Sequence, residues 1–242
     1  GMVRDHHSTA VNLNFRIGMG LFEGLNLQGI SYVVDPQTPY EDFSKNTAVV
    51  DYLQFPVQTL EYKAGDCDDL SILYASLLES IGIETAFITI PGHIFMAFSL
   101  QMPPDEAKTL FRNPGDLIFI DNTTWLPVEI TLVREGFLKA WETGAKEWRE
   151  HNPSGNAGFF PVHDAWKEYE PVGLTGAATG LSFPEQNTTL DQYSERINRF
   201  VEREIADKVA ELQGRIEESK EPARLQNRLA VLYARYGILE KA

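Results

Sequence analysis

A chain of 242 residues, 43% of them hydrophobic and 11% aromatic, carries enough apolar surface for one or two packed domains. A formal charge of −14 argues against nucleic acid or an anionic membrane as partner, and no apolar run approaches the ~20 residues of a membrane helix. One cysteine leaves no intramolecular disulfide and no cysteine-based zinc site, and the five histidines form no metal pattern, so neither metal nor cofactor is expected.

The start is polar, with His6 and His7 read as solvated, and Gly1 ahead of Met2 reads as a residue left by tag cleavage. The compartment is left open, an extracytoplasmic one included if a leader has been removed. Leu13, Ile17, Leu21 and Leu25 fall at helical spacing and predict a helix within 11–30. Tyr32 to Tyr40, with Pro36 and Pro39, reads as loop. A short helix and a connector ending near Pro56 are expected between Asp42 and Leu60, with Tyr52, Gln54 and Gln58 ahead of the cysteine.

Gly65-Asp66-Cys67-Asp68-Asp69-Leu70 opens the central helix, whose apolar stripe runs Leu70, Leu73, Leu77, Leu78, Ile81 and stops at Gly82. Cys67 therefore stands at a helix N-terminus. There the unpaired first-turn N–H groups, that of Asp68 among them, favour a thiolate and can cradle an anionic oxygen on an attacked carbon. Three flanking aspartates disfavour the thiolate unless a cation offsets them, so the site needs a histidine. Gln58 is a candidate second oxyanion donor; the competing reading is a surface or capping glutamine.

Ile83 to Ile90 reads as a strand, and Pro91-Gly92 turns the chain into a second strand with His93, Phe95, Ala97 and Ser99 on one face. Gln101 to Gly115, rich in prolines and charges, reads as a long loop. Leu117 to Ile120 is a strand, Asp121 to Thr124 a hairpin turn, and Trp125 to Thr131 a strand with Glu129 on the face of Trp125 and Pro127. Glu129 and Asp121 are rival acids for a triad. Glu129 is preferred, because Asp and Asn occur in hairpin turns for backbone reasons alone.

The order Gly-x-Cys at a helix start, His opening a strand, and an acid in a Trp-led strand resembles the transglutaminase-like superfamily of cysteine enzymes. Gly65-Asp66-Cys67, His93 and Trp125 to Thr131 carry the resemblance, over roughly residues 45 to 135, with Glu129 where the family usually has Asp. The resemblance implies an α+β fold with a papain-like core, in which the cysteine helix packs on an antiparallel sheet. It implies Cys67 as nucleophile, His93 as base and Glu129 as orienting acid, acting on peptide, protein or cell-wall-type amide bonds, and it points to a bacterial protein. Asp121 in its Ile-Asp-Asn setting resembles the acid of the bacterial transglutaminase-like proteases.

Phe137 to Arg149 reads as a helix with an aromatic stripe, His151 and His163 as surface residues, and Gly173 to Pro184 as linker or extended loop. From Thr188-Thr189-Leu190-Asp191 a charged helix begins, with Ile197, Val201, Ile205, Val209 and Leu212 at helical spacing. Residues 221–242 resemble the first helix and turn of a tetratricopeptide repeat, the start of an array that would bind a protein partner; an amphipathic tail packed on the enzyme domain is the rival reading. The expected organisation is thus a catalytic domain over 1–170, a linker over 171–186 and a helical extension over 187–242. Two functions compete: a thiol enzyme acting through a thioester, and a non-catalytic scaffold that keeps the fold while Cys67 is merely a buried apolar filler.

Overall fold

The computed structural model describes residues 11–34, 52–174, 185–238 and 241–242. The polar start with His6 and His7, most of the 32–40 loop, the segment up to 51 and most of the expected linker lie outside them. The chain is mixed α+β, with an antiparallel sheet and a helical C-terminal part. No helix among the described residues is long and apolar enough to cross a membrane.

Helix α1 (Leu13–Leu27) leads into β1 (Ser31–Tyr32), which pairs in parallel with β2 (Ala64–Gly65) after the short α2 (Pro56–Tyr62). Helix α3 (Cys67–Glu79) follows β2 at once. The hairpin of β3 (Thr85–Ile90) and β4 (His93–Ser99) comes next, then α4 (Pro104–Leu110), β5 (Ile118–Ile120) and β6 (Thr123–Val128). Helix α5 (Phe137–His151), β7 (Gly158–Pro161), α6 (Val162–Ala165), α7 (Gln186–Glu218) and α8 (Ala223–Arg235) complete the order.

The five-stranded sheet runs β5-β6-β4-β3-β7, every pairing antiparallel. Strand β6 lies beside β4 with Met96 opposite Val128 and Ser99 opposite Trp125, so the chain after Val128 returns to the His93 end. Alternation along β4 splits the core. Met96 and Phe98 join the main cluster with Leu70, Leu73, Tyr74 and Phe137, whereas Phe95 and Ala97 join a smaller one with Ile88, Ile118 and Trp125.

Helix α7 belongs to the main core over its first half. Tyr193, Ile197, Phe200, Val201 and Ile205 are buried there, and the Phe200 ring lies 4.2 Å from that of Phe15. Buried Glu23 of α1 ties three helices together, accepting from the Phe137 amide at 3.0 Å and from the Gln192 amide group at 2.8 Å. Beyond Ile205, α7 forms a hairpin with α8.

Local expectations fail where two patterns compete. The α1 helix forms, but it buries Phe15, Met19 and Phe22 while Leu13 stays 42% exposed: both sets fit helical spacing, and the larger side chains take the core. The expected 101–115 loop contains α4, because Pro104 sits at its first turn, where proline's fixed φ suits a helix and its missing N–H costs nothing, with Asp105 and Glu106 favourable to the dipole. The Thr188-Thr189 start lies inside α7, which begins at Gln186. Glu129 is not in the β6 ladder; it caps the 3₁₀ turn Ile130–Leu132 just beyond it.

Candidate active site

Helix α3 starts at Cys67 because Asp66, in extended conformation, caps it. Asp66 and Asp69 cap reciprocally, each carboxylate accepting from the other's amide at 3.4 Å. Asp69 also accepts from the backbone amide of Gln54 and from its side-chain amide, both at 2.7 Å, which ties the chain before α2 to the helix start. Gly65 permits this closeness, since a Cβ there would lie 2.7 Å from that of Asp69. The Asp68 carboxylate accepts from the Asp69 amide at 2.8 Å. The three buried aspartates thus fasten the turn on which the buried cysteine stands.

His93 begins β4 directly after the Pro91-Gly92 turn, in register with Ile90. Its Nε2 lies 2.6 Å from Oε2 of Glu129, which is 2% exposed. Cys67 is near enough to act on the same ring, and its influence helps raise the His93 pKa. Oε1 of Glu129 accepts from the amide and hydroxyl of Thr131, so both carboxylate oxygens are engaged. Glu129 is thus bonded to the imidazole on which Cys67 also acts.

The electrostatics follow from this contact. Burial opposes the charged imidazole, but the hydrogen bonds to Cys67 and Glu129 and their negative charge outweigh it, and His93 is pushed up to about 10. Burial likewise opposes the Glu129 carboxylate, yet the His93 hydrogen bond and charge, aided by Thr131, hold it below the ordinary value. The arrangement favours the imidazolium form of His93 against the Glu129 carboxylate.

The rival acid lies elsewhere. Asp121 is exposed in the β5–β6 turn with φ +48°, followed by Asn122 at +57°, the two left-handed positions of a type I′ hairpin. By strand register that turn is roughly 25 Å along the sheet from His93. Gln58 serves as the capping residue of α2: its Oε1 accepts from the Phe55 amide at 2.9 Å and its Nε2 donates to the Tyr52 hydroxyl at 3.3 Å.

Two neighbours of the site carry no motif. Glu147 of α5 brings a carboxyl oxygen within 4.8 Å of ligand atoms of His93 and Glu129. The sequence signal for it is Gly144, a glycine in mid-helix: a Cβ there would come within 3.1 Å of the backbone of Pro127, Val128 and Glu129, and the close approach it allows sets the next turn beside Glu129. Tyr32, in the two-residue β1, feels burial and then the charges of Cys67, Asp66 and Glu129, which raise its hydroxyl above the ordinary value. Strands this short leave no pattern to read.

His93, Glu129 and Glu147 form the histidine-containing cluster among the described residues that could hold a metal, and His163 stands apart, paired with Glu79 at 2.9 Å. The 2.6 Å contact between His93 and Glu129 suits a shared proton; two donors on a tetrahedral zinc sit about 3.3 Å apart. Comparison with protein-family models, with curated proteins and with solved structures finds no match for this chain.

Proposed function

We propose that this chain is a cysteine-dependent enzyme acting on amide bonds, with a papain-like core of the transglutaminase-like kind. The observation that carries the reading is the 2.6 Å bond from buried Glu129 to His93, with Cys67 at the start of α3 acting on the same imidazole. His93 takes the thiol proton, and the sulfur attacks the amide carbon; first-turn amides of α3 are suited to the developing oxyanion. The C–N bond then breaks, the imidazolium gives its proton to the leaving amine, and a thioester remains on Cys67. Water converts it to an acid, or an amine captures it as a new amide. Glu129 fixes the ring and stabilises the imidazolium throughout. The C-terminal helices, of which residues 221–242 resemble the start of a tetratricopeptide repeat, are proposed as a docking element for a protein partner.

The test is alkylation by iodoacetamide at neutral pH, followed by peptide mass mapping, alongside turnover of a panel of peptide and cell-wall amides. Cys67 alkylation far faster than a free thiol, with turnover abolished by Cys67→Ala, supports the enzyme. An inert Cys67 and no turnover favour the scaffold.

A further inference from the structure

Two carboxyl groups stand beside one imidazole in this site, and the triad uses only one of them. Glu129 faces His93 and accepts from Thr131, so it is the ionised member. Glu147 reaches the same point from α5, and its Oε2 is shut off from water without a hydrogen-bond partner. Carboxyl groups this close, away from water, ionise one at a time, the second holding its proton as a donor to the first.

We propose that Glu147 is a positioning residue for the His93–Glu129 pair: in its acid form it donates to Glu129 and holds that carboxylate on the imidazole, and on losing its proton it loosens this clamp. The groups facing it agree. Glu129, just past β6, repels a second charge, Glu150 on its own helix adds to the repulsion, and His93 of β4 opposes both. The charged groups that α1 and α7 direct at α5 reach other turns, Glu23 at Phe137 and Arg203 at Glu142. Burial, followed by the charge and hydrogen bond of Glu129, pushes the Glu147 carboxyl up to about 8.

The catalytic consequence rests on the thiol-enzyme reading, whereas the proton itself does not, and two measurements separate them. In protein labelled with ¹³C at the glutamate carboxyl, one resonance should titrate near pH 8 and vanish in Glu147→Gln; if no glutamate titrates above pH 6, the proposal is overturned. Cys67 alkylation at pH 6.5 should slow roughly tenfold in Glu147→Leu, the size of coupling within a hydrogen-bonded network, and recover to within about threefold of the parent in Glu147→Gln, which keeps a donor. A folded Glu147→Leu protein, checked by circular dichroism, that alkylates at the parent rate refutes the clamp. Should Cys67 of the parent react no faster than a free thiol, the enzyme reading falls, and the carboxyl titration alone decides the proton.

Discussion

His93 and Glu129, 36 residues apart in sequence, are joined by a 2.6 Å hydrogen bond between Nε2 and Oε2. Glu129→Gln removes the negative charge behind the imidazolium and offers the ring an amide in its place. Turnover should fall by roughly 10²-fold or more, the comparable change in a serine triad costing about 10⁴. Asp121→Asn should leave the rate within about twofold, because it is distant and asparagine suits a left-handed turn at least as well. Steady-state kinetics on both variants check this; equal losses would reject Glu129 as the orienting acid.

The site gives stability a definite pH dependence. The His93 pKa is raised from 6.5 to about 10 on folding, so its contribution is complete below pH 6.5 and lost as pH rises toward 10. Glu147 is raised from 4.5 to about 8, so the folded chain keeps a proton that the unfolded chain releases, and stability falls between those values too. Glu129 is lowered, so its contribution is present above about 4.5 and lost in stronger acid. The site should therefore stabilise the fold most near pH 4.5, with a decline above it that steepens once His93 begins to contribute beyond pH 6.5. Urea unfolding from pH 4 to 10 measures this, and Glu147→Gln should flatten the decline between pH 5 and 8.

Asp69 does four things at once: it caps α3 jointly with Asp66, accepts twice from Gln54, and sits where Gly65 leaves room. Asp69→Ala should cost about 1–2 kcal/mol for the cap, a fall of roughly 3–8 °C in Tm. Gly65→Ala forces a Cβ into Asp69 and should cost about 1–3 kcal/mol, as overpacking does. Differential scanning calorimetry on both variants provides the comparison, and an unchanged Tm in either would contradict the crowding described.

Phe200 packs against Phe15, Phe111 and Trp141 in the main core. Phe200→Ala should cost about 3–5 kcal/mol, as large-to-small core substitutions do, and lower Tm accordingly. A change below about 1 kcal/mol would mean that α7 is an appendage and not part of the core.

The residues legible in the sequence are those at element ends. Cys67 follows a glycine and a capping aspartate, His93 follows Pro-Gly, and Asp121-Asn122 announces its own turn. Such positions depend on backbone chemistry that a single residue can reveal. Contacts between elements were not legible. Glu147 reads as one more polar residue on an aromatic-striped helix until Gly144 is seen against β6, and the sequence leaves Gln58 between an oxyanion donor and a cap until its bonds to Phe55 and Tyr52 are seen. The burial of α1 through Phe15 and not Leu13 depends on partners in α5 and α7 more than 100 residues away.

The sheet order has a kinetic consequence. Strands β3 and β4 close as a local hairpin, but the pairing of β4 with β6, which delivers Glu129, joins segments about 30 residues apart across α4 and β5. Helix α5 must then dock on β6 before Glu147 arrives. A refolding chain can hence acquire helical signal and the first hairpin while Cys67 and His93 still lack their acid. Recovery of the perturbed imidazole, followed by NMR, should lag behind far-UV circular dichroism, so that the reactive arrangement exists only in chains that have finished folding.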